Sequence, residues 1–160
     1  LDIIFKKTAS LIGVSASAGA MAAGAPNEKV ALMQRFGEAL GMAFQIQDDI
    51  LDYKPSARTG KPVYNDLREG KITLPLLCVM ERMDESRQAE VAGRLKRCRE
   101  DASSLEYLQR IVENEDGISL ATSVMRSYLS QAIELLTGFE PSEYRSALID
   151  LCAYVGERDQ

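Results

Sequence analysis

The sequence predicts an all-α helical bundle, and three observations carry that expectation. Apolar residues recur at helical spacing, no run alternates apolar and polar residues as a strand would, and Gly, Pro and Asn punctuate the pattern. The 160 residues are 46% hydrophobic and 27% charged, a globular composition with enough length for one domain to bury its own core. A net charge of −5 leaves no basic stripe, and the absence of Trp leaves little for bases to stack on, so nucleic acid is not an expected partner.

Each helix follows from its own signals. Leu1 to Gly24 reads as the first, with Ile4, Leu11 and Val14 as its larger apolar contacts and Gly13 and Gly19 as interior weak points. Pro26 breaks the run and Asn27 is a plausible N-cap for a second helix from about Glu28 to Tyr53. Lys54 to Lys71 carries Pro55, Gly60, Pro62 and Gly70 and reads as a long loop, of a length that is usually functional. Thr73 to Met83 follows as a short apolar helix that tolerates Pro75 in its first turn. Charged amphipathic helices are expected at Glu85 to Glu100 and at Ser103 to Asn114, the latter with Ser104 as cap. Ile118 to Leu136 carries the stripe Leu120, Val124, Tyr128, Leu129, Ile133 and Leu136 and ends at Gly138. The last helix starts at Pro141-Ser142.

Ala9 to Asn27 has no charge, but Ala, Ser and Gly dominate it, so close helix packing is expected rather than a membrane span. Cys78, Cys98 and Cys152 are too widely spaced for a zinc site or a disulfide framework, which suggests reduced thiols and a cytoplasmic setting. No signal peptide is evident. The chain opens Leu1-Asp2-Ile3-Ile4, without Met and inside a helical pattern, and is expected to be a piece of something longer.

The most informative stretch is FQIQDDILD, Phe44 to Asp52. On a helix Asp48, Asp49 and Asp52 lie 3, 4 and 7 positions after Gln45, so all four side chains share one face. Like charges so close repel, and the surrounding Leu40, Phe44, Ile46, Ile50 and Leu51 suggest burial, so a cation is needed. Oxygen donors in a chain without His favour a hard ion, with Mg²⁺ the natural candidate. The loop that follows supplies Gly60-Lys61, Asp66 and Gly70-Lys71, suited to an anionic ligand bound through a metal. Gly41, one turn before Gln45, either leaves room for a ligand or marks a tight helix crossing.

FQIQDDILDY, then GK, then DLREGKITLP resembles the second aspartate-rich region of the all-trans polyprenyl diphosphate synthases. Lys6-Lys7-Thr8 resembles that family's Lys-Thr pair, and Leu151 to Val155 the end of its longer-chain, heptaprenyl or octaprenyl members. The resemblance implies the C-terminal part, residues 1–160, of an all-α bundle of the isoprenoid synthase type. It implies a prenyltransferase joining an allylic diphosphate head to tail with isopentenyl diphosphate, with Mg²⁺ as cofactor. By the same match Asp48, Asp49 and Asp52 hold metal, directly or through coordinated water. Lys7, Lys61 and Lys71 meet the allylic diphosphate, with Thr8 and Gln45 near it and the reacting carbons. One departure stands out: Tyr64 occupies a position where many members have Gly. The first aspartate-rich motif and the isopentenyl diphosphate site are expected before Leu1, leaving the chain inactive alone and, through exposed apolar faces, homo-oligomeric. Alternatives are a non-catalytic subunit of a two-component prenyl synthase, a terpene cyclase, or a helical interaction domain.

Overall fold

The computed structural model describes residues 1–54 and 63–158, and among these there are helices and no strands. The helices are α1 (Asp2–Ile4), a π-helical turn (Phe5–Ala9), α2 (Ser10–Ala22), α3 (Asn27–Leu51), α4 (Asn65–Arg68), α5 (Leu74–Met80), α6 (Glu85–Leu95), α7 (Ala102–Asn114), α8 (Gly117–Leu136) and α9 (Glu143–Glu157). The all-α expectation holds. No helix among the described residues is long and apolar enough to cross a membrane.

The chain forms two compact units, one of Leu1–Gln47 with Val124–Arg158, the other of Asp48–Ser123. In the first, the small residues of the N-terminal segment serve a crossing against α3. A Cβ on Gly41 would lie 2.6 Å from the Ala9 Cα, and one on Gly37 2.7 Å from the Ile12 carbonyl oxygen. Gly41 therefore marks close backbone approach, not space for a ligand. The N-terminal helix ends where Gly24 takes a left-handed φ of 72°, with its amide and that of Ala25 donating to Met21 and Ala20. α3 starts one residue sooner than its sequence suggests, because the Pro26 carbonyl takes the amides of Lys29 and Val30. The far end of this unit is closed by Arg158, whose guanidinium lies 4.2 Å from the Phe44 ring centre and whose carbonyl accepts from Gln47. Leu1, Ile3, Leu11, Val14, Met21, Tyr144 and Tyr154 of this unit are exposed apolar or aromatic side chains.

The second unit has its own core of Tyr53, Leu67, Leu76, Val79, Val91, Leu108 and Val112, with further residues of α5, α6 and α7 around them. Its helices are capped by acids. Asp84 accepts from the Arg87 amide at the start of α6, and Asp101 from the Ser103 amide at the start of α7. Asp101, not Ser104, is therefore the cap. Ser104 is buried inside the first turn and donates its hydroxyl to Asp101. α8 approaches α5 closely enough that a Cβ on Gly117 would lie 2.7 Å from the Pro75 carbonyl oxygen. The expected long loop contains α4 in its described part.

Candidate functional site

In the first unit, the expected Lys-Thr pair falls inside the π-helical turn. The Ser10 amide donates to the Phe5 carbonyl, so this turn holds one residue more than an α-helical one. Such insertions often occur at functional sites. Ala9 is fully buried against Gly41, and that packing brings the half-buried Thr8 alongside α3. Thr8 Oγ1 donates to Gln45 Oε1 at 3.0 Å. Gln45 is itself only 9% exposed, so the pair is a polar feature sunk into an apolar crossing. Lys7 is exposed, and its neighbour Lys6 pairs back to Asp2.

In the second unit, the three carboxylates meet three different environments. Asp48 is exposed, Asp49 is 8% exposed and Asp52 is half-buried. Asp52 Oδ1 accepts the Asn65 amide at 3.1 Å and Oδ2 the Asp66 amide at 3.0 Å. Burial raises the Asp52 pKa, the amides of Asp66 and Asn65 oppose the rise, and the Asp66 carboxylate adds to it. Asp66 Oδ1 in turn accepts from Lys71 Nζ at 3.2 Å, and Glu69 lies 2.6 Å from the same ammonium. The hydrogen bonds that Lys71 donates to Glu69 and then to Asp66 raise its pKa. Lys61 lies outside the described residues.

Two tyrosines, to which the sequence alone gives no role, join these groups. Tyr53 is buried, shares a hydrogen bond with Thr73 at 3.0 Å, and has its pKa pushed up by burial. The Tyr64 ring meets the Tyr53 ring edge-on at 5.5 Å, and its hydroxyl donates to Glu113 at 2.9 Å. Burial, then Glu113, pushes the Tyr64 phenol up to about 12. Tyr64 has φ 63° and ψ 31°, the left-handed region that favours glycine. The glycine that many family members carry there was the available signal for this backbone.

Among the described residues, no three His, Cys, Asp or Glu side chains form a ready metal cage. The adjacent Asp48 and Asp49 still fit a hard cation of the Mg²⁺ type, which commonly takes one or two carboxylates and draws its other oxygens from phosphate and water.

Together these features define an all-helical protein with an acid-ended helix and, linked to it through Asp66, the ammonium of Lys71. The chain belongs to the polyprenyl synthetase family, whose profile matches residues 1–112. It is 38% identical over 157 residues to heptaprenyl diphosphate synthase component 2 of Geobacillus stearothermophilus, covering 98% of this chain and 48% of that one. Its fold is similar to the decaprenyl diphosphate synthase of Rhodobacter capsulatus, with TM-score 0.86, 31% identity, and coverage of 99% and 49%. It is also similar to a polyprenyl synthase of Caulobacter crescentus solved with calcium and isoprenyl diphosphate, with TM-score 0.85, 32% identity, and coverage of 99% and 48%. The chain thus spans about half the length of the relatives it matches.

Proposed function

We propose that residues 1–160 supply the second aspartate-rich part of a trans-prenyl diphosphate synthase. Such an enzyme condenses an allylic diphosphate with isopentenyl diphosphate, head to tail, into a longer all-trans polyprenyl diphosphate. The observation that carries this reading is the segment FQIQDDILDY on α3, with Lys71 held through Asp66 and Asp52 beside the same helix end. The names of the relatives, and the calcium and isoprenyl diphosphate of the Caulobacter structure, support it.

In this reading Asp48 and Asp49 hold Mg²⁺, with Asp52 at the edge of the patch. The metal supplies charge stabilisation to a leaving diphosphate. Lys7, Lys61 and Lys71 add point charges to the diphosphate oxygens. The Thr8–Gln45 pair offers a half-buried hydroxyl and a buried amide to the diphosphate end and the reacting carbons. No side chain acts as a nucleophile. The three free thiols support a cytoplasmic setting. The relative named component 2 supports a second reading, in which a separate component, not a second copy of this chain, completes the assembly.

Calorimetric titration of the chain with inorganic diphosphate, with and without Mg²⁺, tests the site. Binding should need the metal and disappear in Asp48→Ala; metal-independent binding, or binding indifferent to that change, refutes the assignment. The chain carries a single DDxxD sequence, so it should not elongate labelled isopentenyl diphosphate alone. Measurable elongation would refute the half-site part of the proposal.

A further inference from the structure

The third acid of the run is engaged in a way the helical spacing does not reveal. Three consecutive backbone amides converge on Asp52. The Tyr64 amide donates to the Asp52 carbonyl at 2.7 Å, and the Asn65 and Asp66 amides donate to its two carboxylate oxygens at 3.1 and 3.0 Å. The backbone explains the convergence. A left-handed residue followed by right-handed ones turns successive N–H groups toward one point, a concavity that takes an anion. Tyr64 supplies the left-handed conformation and Asn65 begins α4. The anion held there is Asp52.

Further bonds carry this anchor onward. The Arg68 and Glu69 amides donate back to Tyr64 and Asn65, and the Lys71 amide donates to the Asp66 carbonyl at 2.8 Å. The Asp66 carboxylate then takes the Lys71 ammonium. From Asp52 to Lys71 every link is a hydrogen bond within one compact unit.

We propose that Asp52 is a positioning residue. Its carboxylate is the internal anion of the Asn65 and Asp66 amides, its carbonyl takes the Tyr64 amide, and its task is to set α4 and thereby the place of Asp66 and Lys71, not to take metal. This deepens the reading above and rests on it only for the statement that Lys71 meets a diphosphate. Each Asp52 oxygen already accepts a charge-assisted hydrogen bond, whereas Asp48 is exposed at the same helix end.

Amide hydrogen exchange by NMR on the labelled chain tests this directly. In Asp52→Asn at least one of the Asn65 and Asp66 amides, the one that meets the new NH2 in place of an oxygen, should exchange about ten-fold faster or more, the scale of a lost hydrogen bond to a charged group. Leu108 and Val112 in the core should keep their rates, and Asp48→Asn should leave the Asn65 and Asp66 amides unchanged. Tyr64→Gly, which keeps the left-handed backbone, should also leave them protected. Broadening by Mn²⁺ with inorganic diphosphate gives the second readout: it should persist around Asp48 and Asp49 in Asp52→Asn and vanish in Asp48→Asn. The proposal is overturned if both amides stay protected in Asp52→Asn, or if that variant loses the broadening as fully as Asp48→Asn does. Should the parent chain show no broadening, the metal reading fails, and exchange alone decides the role of Asp52. If Asp52→Asn loosens the core, Asp52→Glu replaces it, since the added methylene displaces both oxygens, and the same two amides are read.

Discussion

Replacing Gly41 with Ala tests the crossing that brings Thr8 to Gln45. The added methyl would lie 2.6 Å from the Ala9 Cα and 3.2 Å from both the Ala9 Cβ and the Ile12 Cδ1. Carbon atoms pack best at about 3.5–4.0 Å, so the two helices must part locally by about 1 Å. The nearest atom is backbone, which cannot swing aside as a side chain can. Overpacking of this kind costs about 1–3 kcal/mol. Against it stands the gain of about 1 kcal/mol from removing an interior helical glycine. With backbone as the obstacle the cost falls in the upper part of that range, about 2–3 kcal/mol, which leaves a net loss of about 1–2 kcal/mol, or about 2–8 °C in Tm for a chain of this size. Gly19→Ala is the control. It lies in α2, nothing is within 4 Å of its added methyl, and only the propensity gain applies. Thermal melts of both variants should therefore move in opposite directions. Ala9→Gly should only partly rescue Gly41→Ala, because the backbone of residue 9 still stands in the way of the new methyl. If Gly41→Ala is as stable as the parent, the crossing is too loose to be what places Thr8.

Three further outcomes are expected in the second unit. Tyr64→Gly should be more stable than Tyr64→Ala by about 1–2 kcal/mol, the cost of the left-handed region for a residue with a Cβ, since both lose the same ring contacts; urea unfolding of the pair reads the difference. The Tyr64 pKa is raised from 10 to about 12, so the stability it contributes is complete below pH 10 and lost as pH rises from about 10 to about 12. Melts of the parent and Tyr64→Phe across that range should converge at the alkaline end. Asp101 is lowered from 3.8 to about 2 by the hydroxyls of Ser104 and then Ser103, so its contribution is complete above pH 3.8 and lost as pH falls from there to about 2. Asp101→Asn should flatten the acid dependence of α7 helicity over that interval, as followed by circular dichroism.

The helices and their order were legible because apolar spacing and glycine-proline punctuation are local properties of the chain. Two features of the site were not, for different reasons. The turn at Phe5–Ala9 differs from an α-helical turn by one residue in its hydrogen bonding, and no change in side-chain type at Lys7 or Thr8 marks it. Gly41 was ambiguous because an absent side chain looks the same whether a ligand or another helix fills the space. Only the position of Ala9 decides. At α7 the sequence pointed to Ser104 as cap, but Ser104 is fully buried within the first turn and Asp101 takes the Ser103 amide instead. For Lys71, family resemblance pointed to a diphosphate, while the structure shows the nearby acids Asp66 and Glu69 already on the same ammonium.

The three aspartates that share a helix face also show how a chain keeps like charges together. Neighbouring carboxylates at such spacing repel, and one remedy for all three would be a cation shared among them. The structure gives them different surroundings. Asp48 is exposed, while Asp52 accepts two amides and is linked through Asp66 to Lys71. Asp49, 8% exposed, is the most buried of the three. On the proposed reading a cation takes Asp48 and Asp49 from the protein, the one or two carboxylates that Mg²⁺ ordinarily takes when phosphate oxygens complete its shell. The spacing of the acids identifies the patch; the two amides on Asp52 set it apart from its neighbours, which is the basis of the positioning role proposed for it.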